Sequence, residues 1–203
     1  LIGIGIGVVL LPELSRKLKG WAPEDAMQSL NRALELSLFL TLPATAALIA
    51  VPHPIVSVLF ERGAFTPQAS QATAWALMAF AAGLPAYVLV KVLQPPFYAR
   101  EDTVTPLRFA LISVGVNLAL SLALFFTLGF VGIAMATALS SWLNAGLLAW
   151  RLRGRGFLKL DARARRRLPR SLLASLLLGL VLLGISWPFG EWWVQGGPLR
   201  EIG

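Results

Sequence analysis

Six apolar stretches divide this chain, with short polar or basic segments between them. The first covers residues 1–11 (LIGIGIGVVLL). The others run from about Leu30 to Leu59, Ala69 to Val92, Leu107 to Leu128, Val131 to Trp150 and Leu168 to Trp187. The last five are long enough for a helix to cross the roughly 30 Å hydrocarbon core of a bilayer. The pattern predicts an all-α, polytopic bundle of about five full spans and a partial one. Pro43, inside the first long stretch, predicts a kink, and Pro52 and Pro54, which flank His53, predict a helix end there followed by a short interfacial segment. Gly83 and Pro85 predict an interruption in the second. Only a tight turn at Gly129 separates the third from the fourth.

Composition agrees with this reading. Hydrophobic residues make up 57% of the 203, and charged residues 14%, against roughly a quarter in soluble domains. A chain with no cysteine and one histidine offers no disulfide framework, thiolate site or His-rich metal centre. The first eleven residues rise only about 16 Å as a helix, and they lack the basic flank and cleavage site of a signal peptide. They are therefore expected to be the second half of a membrane helix. The tail after Phe189 reads as a loop that leads nowhere, so the chain is expected to be an internal piece of a larger protein.

The net charge of +8 acquires meaning from its placement. With the segment after residue 11 set on the cytoplasmic side, the cytoplasmic flanks hold Arg16, Lys17, Lys19, Arg32, Arg100, Arg108 and nine cations from Arg151 to Arg170. That is fifteen of the eighteen Lys and Arg, as the positive-inside rule requires. Arg62 and Arg200 fall outside, and Lys91 sits near a helix end. Trp187, Trp192 and Trp193 cluster where the last span leaves the membrane, as an interfacial belt does. The run RLRGRGFLKLDARARRRLPR reads as an orientation signal with weak anionic-lipid contact, rather than as a nucleic-acid patch.

Polar residues inside the spans are the candidates for function. Asn117 and Ser121 lie one turn apart on the third long stretch; Thr137, Ser140, Ser141 and Asn144 lie on the fourth, among Gly132, Ala134, Ala136 and Ala138. Two readings stay open: small faces packed together with hydrogen bonds across the hairpin, or a hydrophilic cavity or cation site lined by Asn117, Ser121 and Thr137. Glu35 and Arg32 suit either a helix-end pair or a cavity, and Lys91 either snorkels or faces a cavity. His53 has only Glu61 nearby as a partner acid. No nucleophile-base order, phosphate loop, nucleotide fingerprint or metal-ligand spacing is present, so neither catalysis nor a cofactor is expected.

Four segments go further: LLPELSRKL (Leu10 to Leu18), VLFERGAF (Val58 to Phe65), KVLQPPFYAREDTVTP (Lys91 to Pro106) and GFVGIAMATALSSWLNAGLLAWRLR (Gly129 to Arg153). In order and spacing the chain, from Leu1 to about Trp193, resembles the C-terminal half of the MurJ (MviN) family. These are bacterial lipid II flippases of the multidrug/oligosaccharidyl-lipid/polysaccharide exporter superfamily. The resemblance implies fourteen membrane helices in two lobes, of which this chain carries the end of the eighth and the ninth to thirteenth. It implies the following division: residues 1–11 the end of a membrane helix, 12–150 a lobe with four spans, 151–167 a basic cytoplasmic loop, 168–189 one wall of a lipid-tail groove, and 190–203 an outer loop.

The implied activity is the flipping of lipid-linked peptidoglycan precursor across the bacterial cytoplasmic membrane by alternating access. Its implied partners are lipid II or a similar polyprenyl-pyrophosphate glycolipid, membrane lipids and a missing N-terminal lobe, with no nucleic acid. Headgroup arginines in the family lie mostly on helices outside this chain, which leaves Asn117, Thr137, Lys91 and Glu35 as its substrate or cavity candidates. Some relatives hold a cation between the two hairpin helices with an Asn and a carboxylate. Asn117 fits the Asn, but Ser121 stands where the acid would be. The rival readings are a flippase for another polyprenyl-linked glycan, a drug exporter of the same superfamily, and a membrane scaffold without transport.

Overall fold

The computed structural model describes residues 12, 16, 23–60 and 66–194. The first apolar stretch, Lys17, Lys19, Glu61, Arg62, the tail from residue 195 and the side chains of Trp187, Trp192 and Trp193 lie outside what is described.

The elements are α1 (Pro23–Ala50), α2 (Pro52–Phe60), α3 (Pro67–Leu93), α4 (Pro95–Tyr98), α5 (Val104–Leu128), α6 (Phe130–Gly154) and α7 (Ala162–Val194). Proline opens α1, α2, α3 and α4, where its missing N–H would have no helical partner and its fixed φ suits the first turn. The Thr66 hydroxyl accepts from Ala69 N–H at 3.3 Å and caps α3. Asp161 does the same for α7, accepting from Ala164 N–H at 2.6 Å. At Gly129, φ is +59° and ψ is −139°, a backbone conformation nearly reserved for glycine, and this one residue reverses the chain between α5 and α6.

Five of these helices are long and apolar enough to cross a membrane: those over 24–50, 68–98, 104–128, 130–154 and 162–186. The helix break at His53 agrees with expectation, since α1 ends at Ala50 and α2 starts at Pro52. Two boundaries are corrected. Gly83 and Pro85 do not interrupt α3, which is continuous with Pro85 inside it; Gly83 instead marks a close approach, where a Cβ would come within 2.9 Å of Ala138 Cα on α6. The helix that carries the last span, α7, begins at Ala162 rather than Leu168 and continues to Val194, while its candidate span ends at Ser186, close to the expected Trp187. Once Asp161 caps the first turn, arginines 163 and 165–167 are good helix formers, so the basic segment is helical from residue 162.

The helices form a row of neighbours in the order α5, α6, α3, α1, α7, with α2 against α3. α6 is enclosed on two sides, which explains why Gly132, Ala134, Ala136, Ala138, Ser140 and Ala145 are all buried although they do not share one face. Small residues let the α5 and α3 backbones approach closely, which in a bilayer stands in for the missing hydrophobic drive between helices. The outer helices show the opposite: only 6% of the α5 span and 6% of the α7 span is buried, against 39% of the α6 span. Near the basic end, Leu30, Leu34, Val92, Phe97, Leu148 and Leu152 close a shared core from α1, α3, α4 and α6.

Candidate functional site

The hairpin of α5 and α6 brings three of the sequence candidates together. Asn117 Nδ2 donates to Thr137 Oγ1 at 3.3 Å and to Ser140 Oγ at 3.1 Å. Both acceptors also donate within α6, Thr137 to Ile133 O at 2.9 Å and Ser140 to Thr137 O at 3.0 Å. The cluster sits thirteen residues into α5, about 20 Å from its start. Ser121, one turn further, is not part of it: its Oγ is buried without a hydrogen-bond partner among the described residues, as is Asn144 Oδ1. The geometry is that of an amide pinning two helices. Three hydroxyl and amide groups with no carboxylate beside them supply no compensating charge for a bound cation.

Glu35 and Lys91 lie elsewhere. Of the two readings of Glu35 and Arg32, the helix-end pair is not formed, and both residues line a cavity. Glu35 Oε2 instead faces α7, with Arg163 Nε at 3.5 Å and Arg167 Nη1 at 3.7 Å. The correction has a simple cause: the first turns of α7 pack beside α1 and bring two cations, one helical turn apart, to a carboxylate whose side chain is only 10% exposed. Lys91 is exposed in the last turn of α3, where a cation suits the helix dipole, and it has no ion-pair partner among the described residues.

Sequence reasoning missed a polar site at the basic end, built on Asp102. Asp102 Oδ1 accepts from Thr105 N–H at 3.0 Å, and its Oδ2 accepts from Thr105 Oγ1 at 2.8 Å and from Arg155 Nη1 at 2.7 Å. The backbone hydrogen bond from Thr105 is the main cause, and Arg155 a further one, that holds the Asp102 carboxyl down at about 2. The preceding residue, Glu101, has φ of 62°, which turns the chain so that the carboxylate meets the start of α5. Next to it, the Arg100 guanidinium stacks 3.5 Å above the Phe157 ring and donates to Pro96 O at 2.7 Å. Burial, with Arg155 nearby, lowers the Arg100 pKa. Asn31, buried on α1, donates to Lys159 O at 2.9 Å. The D-T-x-T spacing in the motif from Lys91 to Pro106 is a visible signal for the cap, but nothing local announces Arg155 or Lys159.

The chain as a whole has known relatives. The sequence profile of the family described as Lipid II flippase MurJ matches residues 1–200. A probable lipid II flippase MurJ of Rhizobium meliloti (strain 1021) is 44% identical over 187 residues, which is 92% of this chain and 35% of that protein. Its counterpart in Rickettsia prowazekii (strain Madrid E) is 44% identical over 148 residues, 73% of this chain and 29% of that protein. The chain thus spans about a third of the length of these curated relatives. Among solved structures, a lipid II flippase MurJ in an inward closed conformation matches with a TM-score of 0.68 and 25% identity, over 94% of this chain and 44% of that one. In sequence and in the order of its helices, the chain belongs to the lipid II flippase MurJ family.

Proposed function

We propose that this chain forms part of the second lobe of a transporter that moves lipid-linked peptidoglycan precursor from the inner to the outer leaflet of the bacterial cytoplasmic membrane. The observation that carries the reading is the family match across almost the whole chain. The physical task explains the architecture. A polyprenyl tail remains in hydrocarbon throughout, whereas a sugar-peptide-pyrophosphate headgroup cannot cross it without polar partners. A cavity that opens to one side and then the other, by rocking one lobe against another, removes that barrier without covalent chemistry.

Within this scheme the residues of the chain divide by role. The Asn117–Thr137–Ser140 contacts keep α5 and α6 together as one body, and the Asp102–Arg155 pair does so at the basic end. Glu35 couples α1 to α7. Lys91, exposed and without an acid partner among the described residues, is the candidate to meet an anionic headgroup.

The test is rescue of bacteria depleted of their own lipid II flippase. The complete reading frame that contains this chain is expected to restore growth and the exposure of lipid II on the outer leaflet, and the 203 residues alone are expected to restore neither. A correctly inserted full-length protein that fails to rescue would redirect the assignment to another glycan-lipid or a drug.

A further inference from the structure

α3 is continuous from Pro67 to Leu93 although Pro85 stands inside it. A proline in a helix interior removes one backbone hydrogen bond, so the Ala81 carbonyl loses the donor four residues on. In hydrocarbon such a weakened turn is sustained by neighbouring helices, and here the neighbour is α6. Trp142, midway along α6, donates its indole Nε1–H to Ala82 O at 3.0 Å. One turn earlier on α6, Ala138 backs onto Gly83, where a Cβ would lie 2.9 Å from the Ala138 Cα. The turn from Ala82 to Pro85 thus combines a weakened backbone with a close approach to α6.

The two halves of α3 on either side of this turn are held differently. Towards the basic end, Ala86, Val92 and Leu93 are buried, the last two in the core with Leu30, Phe97 and Leu148. Before Gly83 the buried side chains are small, Ser70, Ala74 and Ala81, while Trp75 and Phe80 are exposed. At that end of the bundle, Ser70 Oγ and Thr45 Oγ1 are buried without a hydrogen-bond partner among the described residues. Such hydroxyls gain partners when water reaches them, so this end has less to lose on opening than the basic end.

We propose that the Ala82–Pro85 turn is a hinge and Trp142 its catch. When the indole releases Ala82 O, the first half of α3 swings, with α2 packed against it, away from the α5–α6 hairpin, while the basic end stays fixed. An indole N–H left in hydrocarbon without a partner is costly. Release is therefore favourable only as water enters the opened space, which ties the swing to access from the end away from the basic residues. The swing is a property of the chain's own backbone; its use in opening a transport cavity rests on the transporter reading.

The experiment uses the full-length protein in lipid nanodiscs, with spin labels on cysteines introduced at Gln71 and Thr127, both exposed. Glu24 and Leu107, exposed near the basic end, carry a reference pair. This chain has no cysteine of its own, and any elsewhere in the protein is replaced. Pulsed electron–electron resonance reads the distances. Trp142→Phe keeps a ring and removes the N–H, and is expected to raise the ratio of long to short Gln71–Thr127 distances roughly three- to twentyfold, as the loss of one hydrogen bond between membrane helices implies. Pro85→Ala restores the backbone donor and is expected to lower that ratio below the parent's, with the unfolding temperature unchanged or raised. The reference distance is expected to stay the same in all three proteins. An unchanged ratio in either variant, or a reference pair that broadens along with the first, would overturn the hinge. Rescue of flippase-depleted bacteria reads its use: Pro85→Ala is expected to rescue more slowly than the parent at equal expression, and equal rescue would overturn that use. Labels that move as expected in a protein whose parent form fails to rescue would uphold the hinge and count against the transporter reading.

Discussion

The Asp102 carboxylate lies 2.7 Å from the Arg155 guanidinium, and this contact ties the start of α5 to the end of α6. At the far end of the same two helices, Gly129 already joins them in one turn. The hairpin is therefore fastened at both ends, once covalently and once by a charge-assisted hydrogen bond between residues 53 apart.

Replacing Asp102 by Asn removes the charge but keeps much of the shape. The side chains of the pair are 20% and 30% exposed, so water screens it in part, and a loss of about 1–2 kcal/mol is expected. The pH dependence has a definite sign. The folded carboxyl titrates at about 2, below its unfolded value near 4, so the unfolded chain takes up the proton first as pH falls. The contribution of Asp102 is complete above about pH 4 and is lost progressively towards pH 2. Unfolding temperatures measured across that window should converge for the parent and the Asn variant as the pH is lowered.

Gly132 and Gly115 should respond in opposite directions to the same change. A Cβ at Gly132 would come within 2.5 Å of the Leu124 carbonyl oxygen, which is backbone and cannot swing away, whereas a Cβ at Gly115 meets nothing within 4 Å. Gly132→Ala is expected to destabilise by about 1–3 kcal/mol through overpacking. Gly115→Ala is expected to be neutral or to stabilise by up to about 1 kcal/mol through helix propensity. Denaturant titration of the two variants side by side settles both.

Asn117→Ala deletes two cross-helix hydrogen bonds. Such bonds contribute about 0.6–1.7 kcal/mol in membrane proteins, and a loss in that range is expected. Transport measured with and without a sodium gradient should respond alike in the parent and the variant. A sodium dependence that vanishes with Asn117 would show instead that the amide coordinates an ion.

Lys91→Gln tests the headgroup role directly. The side chain is exposed and forms no ion pair among the described residues, so stability should change by less than about 0.5 kcal/mol. Transport should fall clearly at equal expression. Unchanged transport would mean that Lys91 only snorkels to the interface.

Much of this architecture is legible without coordinates. The five spans appear as apolar runs of the right length, and the Gly129 reversal appears as one glycine between two such runs. Each is a local property of the chain in a given solvent. The His53 break belongs here too, since proline acts on its own backbone. The continuity of α3 through Pro85 does not, because neighbouring helices decide whether a proline in a membrane helix ends it.

The partners were decided by the tertiary structure alone. Glu35 had Arg32 within reach on its own helix but faces Arg163 and Arg167, more than 120 residues away, and Asn31 hydrogen-bonds to Lys159 across 128 residues. In a bilayer every helix is apolar on its outer surface, so hydrophobicity orients a helix across the membrane without choosing its neighbour. The choice falls to close-packing faces such as Gly83 against Ala138 and Gly132 against Leu124, and their matching is a property of surfaces in space. The sequence by itself determined which segments are long and apolar enough to cross a membrane. Only the packing of those segments decided which charges meet, and with them the Asp102–Arg155 pair and the cleft around Glu35.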